Sequence, residues 1–236
     1  MNWKNFALGI YDQAEPANDE EQNLIAEATA HLKDVNEFKA FYNREQFGES
    51  PEHQIGFPLD NRLQEVLRLI RMQNAKTILD VGCRTGFLLF HMATRALLTY
   101  GRGVDINTSS IKTCNTVAER LNLTHKLSFT EAMFEDYTDD RAYDIGVMTD
   151  VLEHCISPET FLKKAREFTG KLVISVPVDC PNIPGRPNDW KHQEHVRVID
   201  KDAAQKLFAD TGWKAINYSS LTSYFLTDIY VLQQIG

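Results

Sequence analysis

No stretch of this 236-residue chain approaches the run of about 20 apolar residues that a membrane-spanning helix requires. The opening MNWKNFALGIYDQAEP lacks a basic start, an apolar centre and a small-residue cleavage site. It therefore does not read as a secretory leader, and a cytoplasmic location is expected. The four cysteines, Cys83, Cys114, Cys155 and Cys180, include no C-x-x-C pair, which favours reduced thiols over a disulfide framework. Lys/Arg runs are missing too: 25 basic residues face 33 acidic ones, a net charge of -8. Proteins that grip nucleic acid through its phosphates generally need a basic surface, so the expected partner is a small molecule rather than nucleic acid. There is no internal repeat and no low-complexity tract. With 43% apolar residues the chain can bury one sizeable core.

What is present falls into two parts. The first 20 residues are polar and read as a loose arm. From Glu20 to Phe47 the apolar residues Leu24, Ile25, Ala28, Leu32, Val35, Phe38, Phe41 and Tyr42 recur at helical spacing. GESPEHQIGFP, from Gly48 to Pro58, interrupts that pattern. A second helix follows with Leu59, Leu63, Val66, Leu67 and Ile70 on one face. Residues 1–60 are therefore expected to form an arm and a helical lid, and residues 61–236 the main domain.

After Asn74, strand and helix signals alternate. Strands are expected at Thr77–Val81, up to Gly103-Val104, at Leu127–Phe129, Asp144–Met148 and Leu172–Val176, with Pro177 as the stop. The helices between them are Gly86–Leu98, Ser109–Leu121, Pro158 to about Phe168 and Asp202–Asp210. Ala215–Tyr218 and Tyr224–Leu232 then follow one another without a helix between, which predicts a closing antiparallel pair. The sum is an α/β fold: an open, doubly wound, mostly parallel sheet of seven strands with helices on both faces.

In such a sheet, ligands bind beyond the carboxyl ends of the strands. After the first strand stands Asp80-Val-Gly82-Cys83-Arg84-Thr-Gly86, whose glycines let backbone approach a ligand. After the second, Asp105 lies 25 residues beyond Asp80, where a carboxylate can accept ribose hydroxyl protons. A dinucleotide site wants three glycines around a pyrophosphate. This turn has two and an acid, which would repel a pyrophosphate but suits a ligand carrying an ammonium and a sulfonium.

TILDVGCRTGFLL, GVDIN, YDIGVMTDVLEH and KLFADTGW together resemble the class I S-adenosylmethionine-dependent methyltransferases, from about Ile55 to the C-terminus. The resemblance implies a Rossmann-like fold and S-adenosylmethionine as cofactor. It implies that the backbone at Gly82, Cys83 and Gly86 lies against the methionine part, with Asp80 near its amino group. Asp105 would hold the ribose, Ile106 would lie on the adenine face, and Met133 and Phe134 would supply adenine-edge contacts. One departure stands out. Where the family usually has a glycine between Gly82 and Gly86, this chain has Arg84; turned inward its charge would oppose a cationic cofactor, turned outward it would change little.

Asp150-Val-Leu-Glu153-His154 follows the fourth strand and so faces the methyl-transfer centre, with Asp150 expected among the cofactor-binding residues. A similar acid-x-x-acid-His cluster in small-RNA 3′-terminal methyltransferases and ubiquinone-pathway O-methyltransferases is associated with a divalent metal, and His195 would complete it here. The residues equally fit a metal-free site, the reading adopted, in which His154 or His195 is a general base. His192 and His195 read as an exposed loop pair. Pro177–Trp190 reads as a substrate loop in which Trp190 is either a stacking platform or a core plug. The expected function is methyl transfer to an oxygen or nitrogen of a small acceptor. Alternatives are an NAD-dependent dehydrogenase, disfavoured by the glycines, a methyltransferase-like binding protein without turnover, and a metal-assisted 2′-O-methyltransferase of an RNA end.

Overall fold

The computed structural model describes residues 59–155, 157–178, 199–222 and 226–236. The segment from Glu20 to Phe47 expected to form a lid, and also Cys180, Trp190, His192 and His195, lie outside these residues.

Helix α1 (Asn61–Met72) begins at Asp60, whose carboxylate accepts the Leu63 N–H at 2.7 Å, a side-chain cap that satisfies one of the free donors of the first turn. It buries Val66, Leu69 and Ile70. Strand β1 (Thr77–Val81), helix α2 (Phe87–Thr94), β2 (Tyr100–Asp105), α3 (Thr108–Arg120) and β3 (Leu127–Glu131) follow. The second half holds β4 (Ile145–Thr149), α4 (Pro158–Ala165), β5 (Lys171–Val178), α5 (Lys201–Asp210), β6 (Trp213–Thr222) and β7 (Leu226–Gln234). The seven strands form one sheet in the order β3-β2-β1-β4-β5-β7-β6. All neighbours pair in parallel except β7, which runs antiparallel to both β5 and β6.

Side chains alternate between the two faces of a strand, and the buried residues sort accordingly into two cores. Ile78, Ile145, Val147, Val173, Ile229 and Val231 meet α1, α2 and α3 on one face. Leu79, Val81, Met148, Ile174, Val176, Tyr230 and Leu232 meet α4 and α5 on the other. The expected doubly wound sheet with a closing antiparallel pair is what the chain forms. No helix of the described residues is long and apolar enough to cross a membrane.

Among the boundaries that differ from expectation, two have a clear physical reason. Pro177 does not stop β5; the strand runs on to Val178, with Pro177 opposite Thr227 on β7. The Ser175 carbonyl accepts from Asp150 N–H, on the β4 side. Residue 177, two further along, points the same way, where β4 has already ended, so its missing N–H leaves no partner unmet. Helix α2 is shorter than Gly86–Leu98. Ala96 adopts φ 55° and the Leu97 N–H turns back to the Met92 carbonyl at 2.9 Å, a left-handed cap that closes the helix early.

Trp213, 1% exposed, is one of the largest fully buried side chains, and its indole N–H donates to the Leu162 carbonyl at 2.9 Å. It fastens the start of β6 to α4. Replacing Trp213 by Ala should cost about 3–5 kcal/mol, the range for large aromatic truncations in cores. Urea unfolding of the two proteins measures the difference.

Candidate cofactor and transfer site

The turn after β1 is built by main-chain geometry. Gly82 and Gly86 have φ 71° and 70°, left-handed values at which a Cβ is strained. Space excludes a side chain as well: a Cβ on Gly82 would stand 2.6 Å from Cγ2 of Val151, and one on Gly86 would stand 2.7 Å from the Phe129 ring. The Gly82 and Cys83 N–H groups donate to the Val104 carbonyl at 2.8 and 3.2 Å, and Gly86 N–H to the Cys83 carbonyl at 2.7 Å. The turn is thus bound to the end of β2.

Arg84 also has a positive φ, 46°. Its side chain is exposed, while its main-chain N–H donates to Asp105 Oδ2 at 2.7 Å. Glycine is the residue such a left-handed backbone favours, and this chain adopts that backbone with an exposed arginine side chain. Its positive charge favours the ionised form of Asp105.

Three carboxylates stand at the strand ends, in three different states. Asp80 is 3% exposed; burial, reinforced by the neighbouring Asp105 charge, pushes its carboxyl up to about 8. Among the described residues no cation is paired with it. Asp105 is raised by burial, against which the N–H groups of Asn107 and Arg84 work. Each Asp105 oxygen takes one of these donors, Asn107 N–H reaching Oδ1 at 2.8 Å. A carboxylate has about four lone-pair positions, so two remain for further donors. Asn107 in turn caps α3 by accepting the Ser110 N–H at 2.8 Å. Asp150 is engaged by a residue that no sequence pattern marks: the Arg62 guanidinium of α1 pairs with Oδ2. Ser175 Oγ donates to Oδ1 at 2.7 Å. With Asp150 so answered, Asp80 is, of these three, the carboxylate left to meet a cationic ligand.

The other expected site residues divide. Ile106 and Met133 are half-buried where β2 and β3 end. Phe134 starts a 3-10 turn, but its ring is buried against Phe161 and Phe168, centroids 5.5 and 6.1 Å away. Only its main chain is left for an adenine edge. Cys83 and Cys114 are buried free thiols, and burial pushes both well up, away from thiolate chemistry. Glu153, 1% exposed, has both carboxylate oxygens without a hydrogen-bond partner. Burial, with Asp150 nearby, pushes it well above the usual carboxyl range. His154 Nε2 lies 3.9 Å from its Oε1. Among the described residues no three His, Cys, Asp or Glu side chains are gathered closely enough to hold a metal ion. Ser175 and Arg62 are the site-edge residues absent from the sequence reading. Ser175 had a faint signal, a lone hydroxyl within LVISV; Arg62 had none, since its partner lies 88 positions away.

Comparison with known proteins bears on the family and the fold. A family described as "Methyltransferase domain" matches residues 72–212. The chain is 32% identical over 103 residues to a mitochondrial ubiquinone biosynthesis O-methyltransferase of Candida albicans, covering 42% of this chain. The match spans about a third, 32%, of that relative's length. Among solved structures, magnesium protoporphyrin IX methyltransferase from Synechocystis PCC 6803 with bound SAH is similar at a TM-score of 0.64 and 14% identity, over 85% of this chain and 100% of that one. The cyclase SpnF is similar at a TM-score of 0.59 and 15% identity, over 73% of this chain and 83% of that one.

Two outcomes test the electrostatics and the strain. An ordinary Asp titrates near 3.9, so between about pH 4 and 8 the folded chain keeps a proton on Asp80 that the unfolded chain has released. Stability from this group is full at acid pH and is lost as pH rises towards about 8. Urea unfolding across that range should show Asp80→Asn with a shallower decline than the wild type; parallel curves would rule the shift out. Arg84→Gly should stabilise by up to about 1 kcal/mol, because a left-handed non-glycine residue is strained. A lower unfolding midpoint in that variant would show that the side chain stabilises more than the backbone loses.

Proposed function

The chain belongs to the methyltransferase-domain family, and from that premise we propose that it is a class I S-adenosylmethionine-dependent methyltransferase acting on an oxygen or nitrogen of a small-molecule acceptor. The observation that carries the reading is Asp80, a buried carboxylate with no cation paired to it among the described residues, held beside a two-glycine turn. An isolated buried charge is costly unless it gains a partner, and an ammonium at that position supplies one. A pyrophosphate would worsen the repulsion, which argues against a dinucleotide. The donor set therefore fits S-adenosylmethionine.

In this reading the main chain at Gly82, Cys83 and Gly86 lies along the methionine part, and Asp80 takes the amino group. Asp105, already fixed by two main-chain donors, presents its remaining lone pairs to the ribose hydroxyls. Ile106 and Met133 bracket the adenine, with the main chain of Phe134 at its edge. When bound, the cofactor supplies a methyl group activated on a sulfonium, so the protein's task is mainly to position the acceptor and exclude water. The sequence from Asp150 to His154 faces that centre. The His154 imidazole is the group there able to take a proton from the acceptor, while burial keeps the neighbouring Glu153 carboxyl protonated, and His195 is kept as a second candidate base. The O-methyltransferase name of the Candida albicans relative supports oxygen as the atom methylated.

Calorimetric titration with S-adenosylmethionine and, separately, with NAD tests the cofactor. Binding of the first and not the second is expected. Asp105→Ala should weaken it by about 1–3 kcal/mol, the scale of hydrogen bonds to a charged group. Wild-type affinity in that variant would remove Asp105 from the site.

A further inference from the structure

Asp150 has φ 53°, a left-handed backbone that costs a non-glycine residue about 1–3 kcal/mol unless its surroundings hold it. Four contacts do so. From β5, Ser175 accepts the Asp150 N–H at its carbonyl, 3.0 Å, and at its hydroxyl, 3.1 Å, while that hydroxyl donates to Oδ1 at 2.7 Å. The fourth is the Arg62 guanidinium on the other carboxylate oxygen, Oδ2. The next residue, Val151, carries the contact onward: its Cγ2 occupies the space beside Gly82 that forbids a side chain there. Helix α1, the loop after β4 and the turn after β1 are thus in series through one ion pair and one methyl contact.

We propose that Arg62 is a positioning residue of the cofactor site. By holding one carboxylate oxygen of Asp150 while Ser175 holds the other, it keeps Val151 seated on Gly82 and so keeps the turn in its ligand-receiving shape. The guanidinium is itself anchored at the start of α1, with Asp60 at 3.7 Å as its second carboxylate. Arg62 and Asp150 are both partly buried, at 19% and 23% side-chain exposure. A purely exposed pair would contribute little, but here loss of the guanidinium leaves a half-buried carboxylate on a strained residue with one restraint removed. The inference rests on the reading of the Gly82 turn as the S-adenosylmethionine site.

The test compares the wild type with Arg62→Gln, Arg62→Lys and Arg62→Ala in the full chain. S-adenosylmethionine affinity is measured by calorimetry, and amide hydrogen exchange is followed in the ligand-free protein. Arg62→Gln and Arg62→Ala should weaken binding about 3- to 20-fold, the range for residues that couple to a site without touching its ligand. Arg62→Lys, which can still make the single ion pair, should stay within about 2-fold of wild type. Exchange should quicken at residues 82–86 and 150–154 in the Gln and Ala variants and remain unchanged in α5. Wild-type affinity together with wild-type exchange at 82–86 would overturn the proposal, whatever happens to thermal stability. A wild-type protein that binds no S-adenosylmethionine would sink the functional reading instead; the exchange data alone would then decide whether Arg62 holds the turn.

Discussion

Strand β1 is paired in parallel on both sides, Asp80 standing opposite Gly103 on β2 and opposite Val147 on β4. Parallel pairing points the carboxyl ends of all three strands to the same edge, so the acids at or just past those ends, Asp80, Asp105 and Asp150, are brought together whether or not their charges suit one another. The rest of the site is an answer to that crowding. Asp80 is buried and keeps its proton over the acid range. Asp105 is wired to the main chain of the turn and of α3. Asp150 is paired with Arg62 and Ser175. Of three acids at one edge, one is left without a paired cation among the described residues.

The steric side of the same constraint is carried by Gly82, Gly86 and Gly103. The turn passes so close to Val151 and Phe129, and β2 so close to Phe129 and Cys83, that any Cβ would collide. Close packing of this sort transmits displacement, since protein interiors have little free volume to absorb it. It is the reason a residue on α1 can bear on a turn it does not touch. The fold alone does not dictate the chemistry, as its likeness to the cyclase SpnF shows; function has to be argued from the groups at the edge.

Much of the architecture was legible in the chain. TILDV and LVISV are apolar runs of strand length, and the two-residue alternation between buried faces follows from pleating. Pro158 opens α4 where a proline is tolerated. Gly82 and Gly86 announced a turn that side chains cannot make. Pro177 misled because its effect depends on which neighbour its nitrogen faces, and that is known only once β4 is seen to end at Thr149. Phe134 shows the same dependence on tertiary context: a hydrophobic ring after β3 faces a ligand or the core according to where α4 lies, and here Phe161 of α4 claims the ring.

Local pattern by itself determined the order of strands and helices, the glycine turn and the two strand-end acids Asp80 and Asp105, because periodicity, propensity and backbone sterics act over a few residues. Only the tertiary structure decided which acid keeps a proton, which is bonded to main chain and which is paired with Arg62. Those outcomes depend on burial and on distances between residues as much as 88 positions apart. Electrostatic energy follows separation in space and exposure to water, and neither is written in the spacing of letters along the chain.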